Sequence, residues 1–244
     1  MTLPLTWMAA AFRKNGLNVK EVSGWRTRGR PYNFAPRGVI FHHTASNPAG
    51  GSAPALNTVT HGRSDLPGPL CNALVGRDGT VYVIAAGYAN HAGTGGPFNG
   101  VPQDSGNAYL AGVEVENNGL GEAWPKRQLD ACDVVFATLL IGMRRKAVWV
   151  CGHKEWAPGR KPDPNGIDMN RYRGRVRAEI RRIASGGKPK PKPKPKPHDG
   201  RTYEVEAGDT LWSIAQEFRM SVAELKDRNN LTSDTIRVGD KLKV

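Results

Sequence analysis

The chain has 244 residues, 39% of them hydrophobic, and a formal net charge of +13. That length accommodates one medium domain plus a small module, and no stretch is long and apolar enough to span a bilayer. Three cysteines, Cys71, Cys132 and Cys151, exclude a disulfide framework and are expected as buried free thiols.

In chain order, MTLPLTWMAAAFRKNG carries no basic residue ahead of its apolar part, and Arg13 and Lys14 cut that part short, so no secretion signal is expected. Leu5 to Lys14 reads as a short helix and Gly38 to Phe41 as a compact strand. Asn72 to Val75 and Thr80 to Ile84 flank Gly76-Arg77-Asp78-Gly79, a hairpin turn. Val113 to Glu116 alternates as a strand does. Gln128 to Arg145 predicts a long apolar helix, Val148 to Val150 a buried strand, and Asn170 to Ala184 a basic amphipathic helix with Val176, Ile180 and Ile183 on one face. Strands interspersed with helices predict an α/β fold with a mixed central sheet and flanking helices.

Lys188 to Pro197 is a strict Lys-Pro repeat, which can form neither helix nor central strand. In polyproline II geometry, at ~3.1 Å per residue, it is a semi-rigid spacer of roughly 30 Å. It predicts a catalytic-size domain over 1–187, a linker over 188–200 and a small module over 201–244. Charge is uneven across these parts. Residues 1–187 hold 23 basic and 13 acidic side chains, 188–197 five lysines, and 198–244 seven basic and nine acidic. The basic excess favours anionic partners such as nucleic acid, a membrane surface or an acidic cell wall. Arg171 to Arg182 reads as the wet face of a helix, and no base-reading motif is present, so nucleic acid is not an expected partner.

The chemistry gathers at two places. Val39-Ile40-Phe41 leads into His42-His43-Thr44, and neighbours on a strand point to opposite faces, so one of His42 and His43 is expected at any given site. Gly152 to Pro164, GHKEWAPGRKPDP, places His153, Lys161 and Asp163 in one short segment. The prolines around Asp163 favour an extended chain in which Lys161 and Asp163 share a side. A surface turn carrying an ion pair would give the same run. Two histidines and a carboxylate are a His₂-Asp set suited to zinc, with a fourth position left for water.

The ordered set HHTA (His42 to Ala45), RDGTV (Arg77 to Val81), HAG (His91 to Gly93), GVEVEN (Gly112 to Asn117) and GHKEWAPGRKPDP resembles the type 2 N-acetylmuramoyl-L-alanine amidases, a zinc family related to phage lysins and peptidoglycan recognition proteins. The resemblance covers roughly 36–170. It implies Zn²⁺ on His42, His153 and Asp163, Lys161 as oxyanion partner and Glu114 as general base, with Glu116 as the rival base. Phage relatives have a tyrosine shortly before the RDG turn; the aligned position here is Cys71, so the proton transfer falls to Glu114. His91 and Thr44 are candidate substrate-binding residues, although a structural histidine would also account for His91. Arg160 could assist the oxyanion or form a surface ion pair. His61 and His198 are expected to be exposed and idle.

Residues 202–244 predict a β-α-α-β unit: a strand at Tyr203 to Val205, helices through Phe218 and over Val222 to Asn229 capped by Asp209 or Thr210 and by Ser221, and a return strand over Ile236 to Leu242. Its AGDTLWSIA segment resembles the LysM domains, which implies binding of N-acetylglucosamine-containing glycan at Gly208, Asp209, Thr210, Leu211, Asn230 and Ile236. Together the resemblances imply a monomeric peptidoglycan hydrolase that cleaves between N-acetylmuramic acid and L-alanine, without stable membrane insertion. A phage endolysin that accumulates in the host cytoplasm and reaches the wall through a membrane lesion fits this reading. A bacterial autolysin and a non-catalytic peptidoglycan receptor are the alternatives.

Overall fold

The computed structural model describes residues 4–30, 33–187, 202–205, 209–218, 220 and 222–244. The Lys-Pro spacer, His198, Gly208 and the expected cap Ser221 lie outside the described residues. The chain divides into two compact units, 1–190 and 191–244.

The first unit opens with α1 (Met8–Lys14), β1 (Val19–Glu21) and β2 (Gly38–His43), then α2 (Leu56–His61) and a two-stranded ladder of β3 (Gly62–Arg63) and β4 (Leu66–Pro67). The expected hairpin follows as β5 (Ala73–Val75) and β6 (Val81–Val83), antiparallel across the Gly76–Gly79 turn. After it come α3 (Gly106–Tyr109), β7 (Leu110–Val115), α4 (Lys126–Gly142), β8 (Val150–Gly152), α5 (His153–Trp156) and α6 (Met169–Ala184). Six strands form one mixed sheet in the order β1-β6-β5-β7-β2-β8, parallel except for the β5–β6 pair.

Period-two alternation sorts the sheet residues onto two faces. Val39 and Phe41 of β2, Ala111, Val113 and Val115 of β7, Ala73 and Val75 of β5, and Val150 of β8 join the main core. There they pack with Phe12 of α1, Cys132, Val135, Phe136 and Leu139 of α4, and Tyr172 and Val176 of α6. Phe41 lies 4.8 Å from Tyr172 and 5.1 Å from Phe136 between ring centroids. On the opposite face, Ile40, Leu110 and Cys151 pack with Trp156 of α5, and Leu74 packs with Cys71 and Ile84. Strands covered on both faces read as unbroken apolar runs, and β2 is buried from Gly38 through His42.

β2 extends two residues beyond the expected Phe41, because His42 and His43 pair with Glu114 and Val115 of β7. α1 begins at Met8, and residues 4–7 form turns ahead of it. All three cysteines are free and buried, as expected. Burial pushes each thiol well up from its ordinary range. Among the described residues, no helix is long and apolar enough to cross a membrane.

The second unit comprises β9 (Thr202–Glu204), α7 (Leu211–Glu217), α8 (Val222–Asn229) and β10 (Lys241–Lys243), with β9 and β10 antiparallel. Its core holds Val205, Leu211, Ile214, Ala215, Met220, Leu225, Leu242 and Val244, with Ile236 packed at the edge. The return strand is shorter than Ile236 to Leu242. Before it the backbone turns, with Asp240 N–H bonded to Arg237 O and Gly239 N–H to Val205 O, which spends those groups outside a ladder.

Candidate active site and metal centre

His42 and Glu114 are register partners near the C-terminal ends of the parallel strands β2 and β7, where ligands of open α/β sheets bind. Because the face alternates, His42 leaves the α4–α6 core and lies on the side of Ile40. β8 ends beside β2 and delivers His153 as the first residue of α5. The chain then loops back so that Lys154 N–H donates to Asp163 O at 2.7 Å, which returns Asp163 to the histidines.

The three side chains meet closely. His42 Nδ1 lies 2.9 Å from His153 Nδ1 and 3.2 Å from Asp163 Oδ2, and His153 Nδ1 lies 2.9 Å from the same oxygen. All three residues are buried, and the three ligand atoms lie within 4.8 Å of one another. His153 Nε2 is 2.9 Å from Ala92 O, which can only accept, so its proton sits on Nε2 and its Nδ1 lone pair faces the cluster. Lone pairs brought this close repel unless a cation or proton lies between them. Two imidazole nitrogens and a carboxylate oxygen therefore fit zinc binding. Burial and then the neighbouring His153 bring His42 down to about 4 against the pull of Asp163, so the ring is neutral and able to ligate near pH 7. Burial raises the Asp163 carboxyl, but the two imidazoles outweigh it and hold the group below the usual carboxylate range.

Several backbone anchors keep this loop in place. Lys154 Nζ donates to Pro164 O at 3.0 Å and to Ile167 O at 2.6 Å. Trp156 is fully buried; its Nε1 donates to Gly93 O, and Gly95, Gly96 and Gly106 sit so close that a Cβ on any of them would strike its ring. Glu155 accepts from Gly152 N–H and from Arg173 of α6. No pattern in the sequence singles out Lys154 or Trp156. Only their presence inside GHKEWAPGRKPDP offered a signal.

The two glutamates of GVEVEN have opposite surroundings. Glu114 Oε2 is shut off from solvent with no hydrogen-bond partner among the described residues. Burial first, then the Asp163 and Glu116 charges, push its carboxyl well up, against Lys161. Glu116 follows β7 and is fully buried among donors: Thr44 Oγ1 at 2.8 Å, Ser46 Oγ, Ala55 N–H at 2.9 Å and Arg77 at 3.5 Å. Arg77, also fully buried, makes two further bonds to Glu122 at 2.7 and 3.0 Å. The RDG arginine is thus a tie between loops.

The remaining candidates are placed as follows. Lys161 has no ion-pair partner among the described residues, and its charge acts on His42, His43 and Glu114. The Thr44 hydroxyl is committed to Glu116 and Ser46. His91 Nδ1 lies 3.0 Å from His42 Nε2. Arg160 donates to Ala92 O at 3.1 Å and to Thr94 O. His43 is partly exposed and accepts from Asn165 N–H at 3.2 Å, and Gly119 lies against its ring. Cys71 is buried near Glu114, whose charge helps raise its thiol. His61 is exposed and bonded within its own helix to Asn57. In the second unit, Asp209 accepts from Tyr203 OH at 2.7 Å, and Thr210 and Asn230 are exposed. Leu211 is 3% exposed inside the module core, so apolar burial leaves its side chain unavailable to a glycan.

Comparison with known proteins gives the family of the larger unit and the kind of module at the end of the chain. Residues 32–166, more than half of the chain, match the Amidase_2 family, N-acetylmuramoyl-L-alanine amidase, and the chain belongs to that family. Residues 203–244 match the LysM domain. The crystal structure of a selenomethionine AmpD derivative is similar in fold, with a TM-score of 0.53 and 24% identity over 72% of this chain and 99% of that one. Staphylococcus aureus hydrolase AmiA, solved with its ligand, gives 0.52 and 14% over 71% of this chain and 87% of that one. A 43-residue stretch is 58% identical to N-acetylmuramoyl-L-alanine amidase sle1 of Staphylococcus saprophyticus, and one of 43 residues is 49% identical to the probable peptidoglycan endopeptidase LytE of Bacillus subtilis. Each match spans 18% of this chain and only 13% of the relative.

Proposed function

We propose that the chain hydrolyses the amide between N-acetylmuramic acid and L-alanine in peptidoglycan, with His42, His153 and Asp163 holding a zinc ion. The observation that carries this reading is the convergence of two imidazole nitrogens and a carboxylate oxygen beside Glu114, a carboxylate with an unpartnered oxygen. Zinc bound there would polarise the scissile carbonyl and acidify a water molecule. Glu114, free of structural hydrogen bonds at Oε2, takes the water proton and passes it to the leaving amine. Lys161, with no ion-pair partner among the described residues, supplies positive charge to the developing oxyanion. Glu116 is committed to Arg77 and the hydroxyls and serves the scaffold.

Residues 1–187 form the catalytic domain, 188–200 the spacer and 201–244 a glycan-holding module, in which Asp209, Thr210, Asn230 and Ile236 are the contact candidates. The protein works as a monomer. Its finer role is host wall breakdown by a phage, with access to the wall through a membrane lesion; the basic excess of 1–187, suited to an acidic wall, supports a wall-directed role. Purified peptidoglycan treated with the zinc-loaded protein should release new L-alanine amino termini, and a chelator should abolish this. Release of reducing sugar ends or of amino groups within the peptide would instead mark a muramidase or an endopeptidase, and no cleavage by zinc-loaded protein would leave the receptor reading. Cytosolic expression should lyse cells only after a membrane-permeabilising agent is added.

A further inference from the structure

His91 and Ala92 are consecutive residues, and each meets one of the two histidines of the cluster. The His91 ring nitrogen Nδ1 lies 3.0 Å from His42 Nε2, and the Ala92 carbonyl lies 2.9 Å from His153 Nε2. We propose that this dipeptide is a platform that fixes the tautomer of both metal-facing histidines, with His91 as the positioning residue for His42. The inference rests on the zinc reading above.

The proton positions follow from which neighbours can only accept. His91 Nε2 lies 3.0 Å from Leu110 O, so it carries the proton. An imidazole that carries its proton on Nε2 presents Nδ1 as a bare lone pair. His42 Nε2 faces that lone pair and must donate to it. His42 Nδ1 is therefore bare and turned toward His153 and Asp163. One relay thus runs from the Leu110 carbonyl of β7 through His91 to His42, and a one-step version runs from the Ala92 carbonyl to His153. Without the acceptor at His91 Nδ1, His42 could place its proton on either nitrogen or swing about its ring axis.

The platform is itself held. Asn107 Oδ1 accepts from both backbone N–H groups of the dipeptide, His91 at 2.9 Å and Ala92 at 2.7 Å. Gly112 lies directly under the His91 ring, where a Cβ would come within 2.6 Å of Cγ. Arg160 donates to the Ala92 carbonyl at 3.1 Å, so that oxygen is fixed from two sides. Outer partners of this kind set ligand orientation and basicity, and losing one typically costs 10–100-fold in metal affinity.

The test measures zinc dissociation constants by competition with a chromophoric chelator, on the full chain, for wild type, His91→Phe and His91→Asn. Phenylalanine fills the space without an acceptor; asparagine Oδ1 restores one near the position of Nδ1. The expected result is roughly 10–100-fold weaker zinc binding for His91→Phe, with most of the affinity recovered in His91→Asn and the zinc-free melting temperatures similar. Wild-type affinity in His91→Phe would overturn the platform while leaving the zinc reading intact. Failure of the wild type to bind zinc would overturn both. Should His91→Phe not fold, long-range ¹H–¹⁵N spectra of the wild-type imidazoles decide: protons on Nε2 of His42, His91 and His153 support the inference, and a proton on His42 Nδ1 in the zinc-free protein overturns it.

Discussion

Glu114 and Glu116 stand two residues apart and differ in what surrounds them. The folded pKa of Glu114 is raised, so its ionised form costs stability: the associated stability is fully present below the unfolded pKa and falls as pH rises through the folded one. Glu114→Gln, which cannot ionise, should therefore melt higher than wild type at pH 7–8 while turnover drops about 10²–10⁴-fold; thermal melts and wall digestion read both. The acid limb of the wild-type kcat/KM profile should lie above the ordinary glutamate value of about 4.3. Glu116→Ala should do the reverse in stability, because it removes the acceptor of the Ala55 N–H and of the Thr44 hydroxyl, at a cost of ~1–3 kcal/mol in denaturant unfolding. Alternation in the sequence placed both carboxylates in contention, and it could not separate them. The donors that occupy Glu116 come from Thr44, Ser46, Ala55 and Arg77, up to 72 residues away in the chain.

At the scale of elements, α1, α4, α6, α7 and α8 were legible, and the four-residue helices α3 and α5 were not. α6 buries one apolar stripe, so its 3.6-residue period is visible along the chain, whereas α4 is buried on all sides from Ala131 to Leu140 and is visible as a long, largely apolar run. β1 is three residues long and mostly exposed, and it exists because β6 offers a parallel partner. α5 is a four-residue turn whose side chains serve tertiary contacts: His153 the His42–Asp163 cluster, Lys154 two loop carbonyls, Trp156 a glycine-lined slot. Lys154→Met should loosen the return of Asp163 and weaken zinc binding in chelator competition, with little change in far-ultraviolet dichroism. Trp156→Ala opens a cavity under the same segment and should cost ~3–5 kcal/mol in unfolding free energy.

For the whole molecule, the Lys-Pro run announced the division into two parts, because such a repeat has no means of joining a core. Each unit has a core of its own. A chain ending at Gly187 should keep turnover on soluble muropeptides and lose retention on sedimented walls; equal pelleting of both forms would count against the module as the anchor. The three cysteines bear on how such measurements can be made. Each thiol is buried and held protonated, while thiol reagents attack the exposed thiolate. The native chain is thus optically silent toward maleimide dyes without any cysteine being removed. Leu120, 89% exposed beside the Gly119–His43 contact, is a natural place to add one. A single dye at Leu120→Cys would watch the segment beside His43 during turnover, in a protein whose own sulfur chemistry stays out of sight.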